Sequence, residues 1–178
     1  MTLQMQEKNT NRFYWEVIQI SSQSNALRKR PNKKLTDFFA FFVGFAVLLL
    51  VLLCYCLIRW VNSGFYSMLL PPVLICLLGL MYAFLCITKT LKRYRELKNT
   101  PPCPSTLTLD ERGATADMES GTAVRISWDV MAFIRVFEEL ICFMPNKAGN
   151  AMIFVERERA QEILDWLREN KPDVLVIQ

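Results

Sequence analysis

The sequence predicts an α+β membrane protein: a two-helix transmembrane hairpin inserted in a small antiparallel β-roll or barrel, closed by a C-terminal amphipathic helix. Three observations carry that reading. Phe38 to Ile58 holds no charge over 21 residues, and Met68 to Ile87 holds none over 20. At about 1.5 Å rise per residue, each run can cross a hydrocarbon core of roughly 30 Å. Residues 1–99 carry 13 Lys/Arg against 4 Asp/Glu, a balance of +9, whereas residues 100–178 carry 8 against 13, a balance of −5. After residue 104 the apolar pattern shortens to strand-like alternation, and only near the C-terminus does it return to a helical period.

The chain then divides into 1–37, a cytosolic N-terminal strand and basic juxtamembrane segment; 38–60, the first span; 61–67, an external loop; 68–87, the second span; 88–104, a basic helix extension and Pro-rich linker; and 105–178, the cytosolic domain. The first nine residues read as polar and loose. Arg12 to Ile20 mixes aromatic and β-branched residues with polar ones. Trp15, Val17 and Gln19 fall on one face and Glu16, Ile18 and Ile20 on the other, which reads as a strand. A short polar helix over Ser22–Lys29 follows, broken by Pro31, and Asp37 caps or flanks the first span.

Arg28, Lys29, Arg30, Lys33 and Lys34 precede the first span; Lys89, Lys92, Arg93, Arg95 and Lys98 follow the second. The loop between them has only Arg59. Basic residues near span ends stay on the cytoplasmic side, so both termini are expected in the cytosol. Trp60, Phe65 and Tyr66 suit an aromatic belt at the outer interface. The first span starts beyond residue 30, which speaks against a cleaved signal peptide. Pro71-Pro72 falls in the opening turn of the second span, where proline is tolerated, in preference to a hinge. That helix is expected to run on to Lys98, where Pro101-Pro102-Cys103-Pro104 ends it.

In the last third, strands are expected at Ser105–Leu109, Ala114–Met118, Ala123–Trp128, Phe133–Glu138, Leu140–Met144 and Ala151–Val155. Turns fall at Asp110–Gly113, Glu119–Gly121 and Asn146–Asn150. From Arg159 to Glu169, residues Ala160, Ile163, Leu164 and Leu167 form an amphipathic stripe, which Lys171-Pro172 stops. A roll with an exposed edge needs a cover. Arg12–Ile20 is expected to add to this sheet, leaving the hairpin as an insertion in one domain.

The chemistry is sparse. There is no histidine, which removes the commonest general base and metal ligand. No phosphate-binding Gly-rich loop, CxxC pair or HExxH-type helix is present. Cys54, Cys56, Cys76 and Cys86 lie in the spans and behave as small apolar groups. Cys54 and Cys56 are two apart on a helix and cannot jointly hold a metal. Cys103 and Cys142 face a reducing cytosol and should be free thiols. Asp110-Glu111 and Glu138-Glu139 are candidate acid/base pairs only in composition, since adjacent strand positions point apart. With no Asp, Glu, Lys or Arg inside the spans, ion-coupled transport lacks its groups. No catalytic residue, cofactor or metal is therefore assigned, and the chain is read as not an enzyme. The basic residues are accounted for by topology, so no nucleic-acid partner is expected.

Leu107-Thr108-Leu109-Asp110-Glu111-Arg112-Gly113, then Ile126-Ser127-Trp128-Asp129-Val130-Met131-Ala132-Phe133-Ile134-Arg135-Val136, then Ile153 to Leu167 set an acidic-Gly turn, a Trp and a closing helix in one order. In this the chain resembles the YcxB-like family of small bacterial two-span membrane proteins. The resemblance spans most of residues 12–170. It implies a pleckstrin-homology-like (PH-like) cytosolic domain on the bacterial cytoplasmic (inner) membrane, with Trp128 a core anchor rather than a ligand contact, and brings no reaction.

Three functions stay open. The leading one is a non-enzymatic, membrane-anchored module whose cytosolic domain binds a protein partner. A second is an immunity protein that neutralises a basic toxin, with Glu138, Glu139, Glu156 and Glu158 as the candidate partner surface. The third is anionic-lipid sensing, with Arg28, Lys29, Arg30, Lys33, Lys34, Lys89, Lys92, Arg93 and Arg95 as candidate headgroup contacts. Membrane lipids are partners in each. Self-association is open too, although Gly44 and Gly79 stand alone and no GxxxG spacing exists.

Overall fold

The computed structural model describes residues 1–5, 10–63, 70–99, 105–118 and 121–177. It is an α+β protein with two long apolar helices and two open sheets. It divides into two compact units, the first made of residues 1–35 with 97–178 and the second of residues 36–96. The segment before the apolar helices thus joins the segment after them. Expectations for Gly64–Ser67 (Phe65 and Tyr66 included), the start at Met68, Pro101–Pro104 with Cys103, and the Glu119-Ser120 turn lie outside the described residues.

In the first unit the chain opens with β1 (Thr2–Met5), which pairs with β2 (Ser105–Leu109) in antiparallel register, Thr2 opposite Thr108. The expectation of a loose N-terminus fails here, because Leu3 and Met5 alternate inward and are buried. β3 (Gly113–Met118) and β4 (Ala123–Ser127) complete a sheet ordered β1-β2-β3-β4. Trp128 follows β4 in a single 3-10 turn, Trp128–Val130. The second sheet, ordered β7-β6-β5-β8, contains β5 (Met131–Val136), β6 (Leu140–Pro145), β7 (Ile153–Glu156) and β8 (Val176–Ile177). β8 joins β5 in parallel, and the sequence reading had no strand there. The expected roll or barrel takes the form of two open sheets.

The largest correction concerns Arg12–Ile20. This segment is not a strand and adds to no sheet; it lies in α1 (Asn11–Lys29), which also absorbs the short helix expected over Ser22–Lys29. Thr10 starts α1, its hydroxyl accepting from the Phe13 N–H at 3.2 Å. Phe13, Val17, Ile20 and Leu27 recur at helical spacing and pack with Phe133, Phe137, Leu140, Cys142 and Met144 of the second sheet. The opposite face of that sheet, Ile134, Ile141, Phe143, Ile153 and Val155, packs with Leu107, Leu109, Ala114 and Ile126 of the first sheet. Ile163 and Leu167 of α4 (Ala160–Asn170) close that core. The layers therefore run first sheet, second sheet, α1. β6 lies between two apolar layers, and Leu140 to Met144 are all fully buried. Strand propensity over 12–20 lost to the need to cover an apolar sheet face.

Two features fix the ends of these elements. At the β2–β3 turn, a Cβ on Gly113 would collide with the Ile126 carbonyl oxygen and lie 2.8 Å from Ser127 Cα. Only glycine lets β4 approach so closely. Trp128 packs against the first core, stacks on Trp166 at 6.1 Å and donates its indole N–H to the Asp110 carbonyl at 2.9 Å. That is an anchor's role.

The second unit holds α2 (Phe38–Ser63), which includes Trp60, and most of α3 (Leu70–Asn99). Asp37 caps α2, its carboxylate accepting from the N–H groups of Phe39 and Ala40 at 3.0 and 3.1 Å. Pro71-Pro72 occupies the first turn of α3 as expected, and α3 continues through Lys98. Gly79 receives Leu49 of α2, whose Cδ1 lies 2.7 Å from where a Cβ would stand. Both helices are long and apolar enough to cross a membrane.

Candidate functional site

The second sheet supplies the site. β5 ends at Val136 and β6 begins at Leu140, so Phe137-Glu138-Glu139 forms the turn between them. The expected strand Phe133–Glu138 therefore starts and stops two residues early, at Met131 and Val136. Because Glu138 and Glu139 sit in a turn, they do not point apart as adjacent strand residues would. The Glu139 carbonyl accepts the Arg157 N–H at 3.0 Å, and the Glu138 carbonyl accepts from the Arg157 guanidinium at 3.0 Å. This ties the turn to the short helix Arg157–Arg159 after β7. A cleft of about 280 Å³ opens there, lined by Thr10, Phe13, Glu138, Glu139, Glu156, Arg157 and Glu158.

All four glutamates of the expected partner surface thus meet at one opening, drawn from two strand ends. Phe13 was missed because Arg12–Ile20 was read as a strand, and Thr10 because it lies just before that segment. The capping threonine and the Phe13, Val17, Ile20 and Leu27 spacing were the signals that could have revealed them. Among the described residues the cleft is acidic: its lining holds four carboxylates and Arg157, and Arg12 reaches Glu139 at 3.9 Å from an exposed position.

Behind the cleft, Glu16 joins α1 to the same turn across more than 120 residues of sequence. Its carboxylate oxygens accept the N–H groups of Glu138 at 3.1 Å and Glu139 at 2.9 Å. Burial pushes its pKa above the usual value of 4.5; the two backbone N–H groups oppose that shift, and the Glu138 and Glu139 charges add to it. The other end of α1 is held differently. Arg28 donates to the Pro145 carbonyl at 2.8 Å, and Arg135 on β5 donates to the Pro31 and Lys33 carbonyls at 2.6 and 2.7 Å. The Arg135 guanidinium also stands 4.7 Å from the Phe137 ring centroid.

The candidate headgroup contacts divide between the two units. In the first unit Lys29, Arg30, Lys33 and Lys34 are exposed, while Arg28 is committed to Pro145. In the second, Lys89, Lys92, Arg93 and Arg95 are exposed on α3, with Lys92 3.9 Å from Glu96. Cys142 is a free thiol, fully buried rather than facing the cytosol, and its pKa is pushed far up by burial. Among the described residues, no three His, Cys, Asp or Glu side chains gather as a metal cage. Compared with family models, curated proteins and solved structures, the chain matches none.

Proposed function

We propose that this is a non-enzymatic, membrane-anchored interaction module, whose α+β domain offers the acidic cleft beside the β5–β6 turn to a basic segment of a protein partner. The observation that carries the reading is the convergence of Glu138, Glu139, Glu156 and Glu158 with the Phe13 ring at one opening. Such a site suits an Arg or Lys side chain, whose apolar stem lies on the ring while its head meets carboxylates.

α2 and α3 serve as the anchor. Only 6% and 17% of their most apolar stretches is buried, so the apolar surface faces outward, as lipid contact requires and a soluble core does not. The basic residues before α2 and along α3 favour a cytosolic domain with both termini inside. The family resemblance adds a bacterial inner membrane and a PH-like architecture, which two four-stranded sheets and a closing helix suit.

Photo-crosslinking tests the reading. A photoreactive residue at Glu139 or Arg157 of the full chain in native membranes should give one dominant protein adduct, identified by mass spectrometry. The adduct formed from position 157 should disappear when Glu138, Glu139, Glu156 and Glu158 are changed to Gln together. A basic toxin as the adduct would make the module an immunity protein. Lipid adducts alone, or none, would sink the partner reading.

A further inference from the structure

The two ends of α1 are fastened by unlike chemistry. Its C-terminal end and the strap after it hang on the guanidinium groups of Arg28 and Arg135, which donate to backbone carbonyls. Its first half is fastened by Glu16, 91% buried (9% relative exposure) and bound to two backbone N–H groups of the β5–β6 turn. Among the described residues, no Lys or Arg is recorded in a salt bridge with Glu16.

We propose that Glu16 is a proton-sensitive latch: protonation tightens the seat of the first half of α1 on the β5–β6 turn, and ionisation loosens it. Seated, the carboxylate has lost water and faces the like charges of Glu138 and Glu139; lifted away, it regains water. Among the described residues, the nearby cations are directed at other partners. Arg12, on the same helix, is paired with Glu139 at 3.9 Å. Arg157, after β7, directs its guanidinium at the Glu138 carbonyl. Glu156 and Glu158 add negative charge to the cleft lining, and Cys142 on β6 stays a neutral thiol. The two N–H bonds therefore hold an ionised group that its surroundings disfavour. The neutral carboxyl keeps one acceptor oxygen for the turn and weakens the second N–H bond, but it is rid of the buried charge and of the repulsion, which together outweigh that loss. The latch does not depend on what the cleft binds.

The sign follows from linkage. A group whose pKa is raised on folding stabilises the seated state fully below its unfolded pKa, and that stabilisation is lost as pH rises through the folded pKa. The window therefore opens near 4.5 and extends upward. Hydrogen–deuterium exchange of the full chain in lipid nanodiscs, corrected for intrinsic rates, reads it by region. Between pH 4.5 and 7.5, protection of the Tyr14–Ile20 amides should fall severalfold, while Ala26–Lys29 stays level. Glu16→Gln should flatten the response of the first region. Protection of Tyr14–Ile20 that is flat or rises with pH, or the same slope in Glu16→Gln, would overturn the latch. If that variant does not fold, the side-chain carboxyl ¹³C titration of Glu16 in the unaltered chain decides. A midpoint above 4.5, lowered in Glu138→Gln/Glu139→Gln (which keeps both backbone donors), supports the latch; a midpoint at or below 4.5 overturns it.

Discussion

Two hairpin turns in this domain are capped by one carboxylate each, with opposite electrostatic results. At the β2–β3 turn, Asp110 accepts the N–H groups of Arg112 at 2.7 Å and Gly113 at 2.9 Å. At the β5–β6 turn, Glu16 accepts those of Glu138 and Glu139 at nearly the same distances. Asp110 lies in solvent, so its two hydrogen bonds hold its pKa below the usual value, with Arg125 and Arg112 adding to the effect. Glu16 is buried beside two glutamates, so burial outweighs the same two bonds and its pKa rises. Hydrogen bonds count alike in both; water and neighbouring charge decide the sign. The sheets differ in the same way. The first has one wet face, carrying Thr2, Thr106, Thr108 and Thr115, whereas the second is covered on both.

The largest expected effect tests the second cover. Leu140→Ala, on the face that α1 covers, should cost about 2–5 kcal/mol by cavity formation, read as a shift in urea midpoint by the fluorescence of the stacked Trp128–Trp166 pair. A smaller loss would mean that α1 leaves that face accessible. Next, Arg135→Met removes the donors to the Pro31 and Lys33 carbonyls. It should cost about 1.5–3 kcal/mol and admit protease within residues 30–35; unchanged cleavage would show that Arg135 does not hold the strap. The two capping carboxylates should then give pH profiles of opposite slope. Stability from Asp110 is present above the usual 3.8 and lost as pH falls through its lowered pKa, while that from Glu16 is lost as pH rises above 4.5. Asp110→Asn should reduce the acid-side loss, and Glu16→Gln the loss on raising pH; like slopes in both would break the comparison. The smallest effect is Thr108→Ala on the wet face, which should stay within about 0.5 kcal/mol.

Legibility followed the range over which the deciding force acts. β2, β3, β4, β6, β7 and α4 lie close to where their alternation or stripe puts them, because each presents its own apolar face locally. Glu138, Glu139, Glu156 and Glu158 could be named as a partner surface, yet that they share one cleft with Phe13 depends on a turn and on α1. β1 and β8 are four and two residues long; too short for a period, they exist because sheet edges at β2 and β5 receive them. Arg12–Ile20 misled for a related reason: its β-branched and aromatic residues suit a strand, and only the second sheet's bare face makes a helix the better solution.

Composition and periodicity alone fix the two long apolar helices, the caps at Asp37 and the Asp110–Gly113 turn, the acidic character of the last third and the closing helix. These depend on solvent transfer and on hydrogen bonds a few residues long. Tertiary structure decided the rest: the two-sheet layering, α1 as the third layer, the Arg135 clasp on the strap and the Glu16 latch. The Arg135 and Glu16 contacts join residues more than 100 positions apart, and the burial that sets the energies of all four exists only once both sheets have formed.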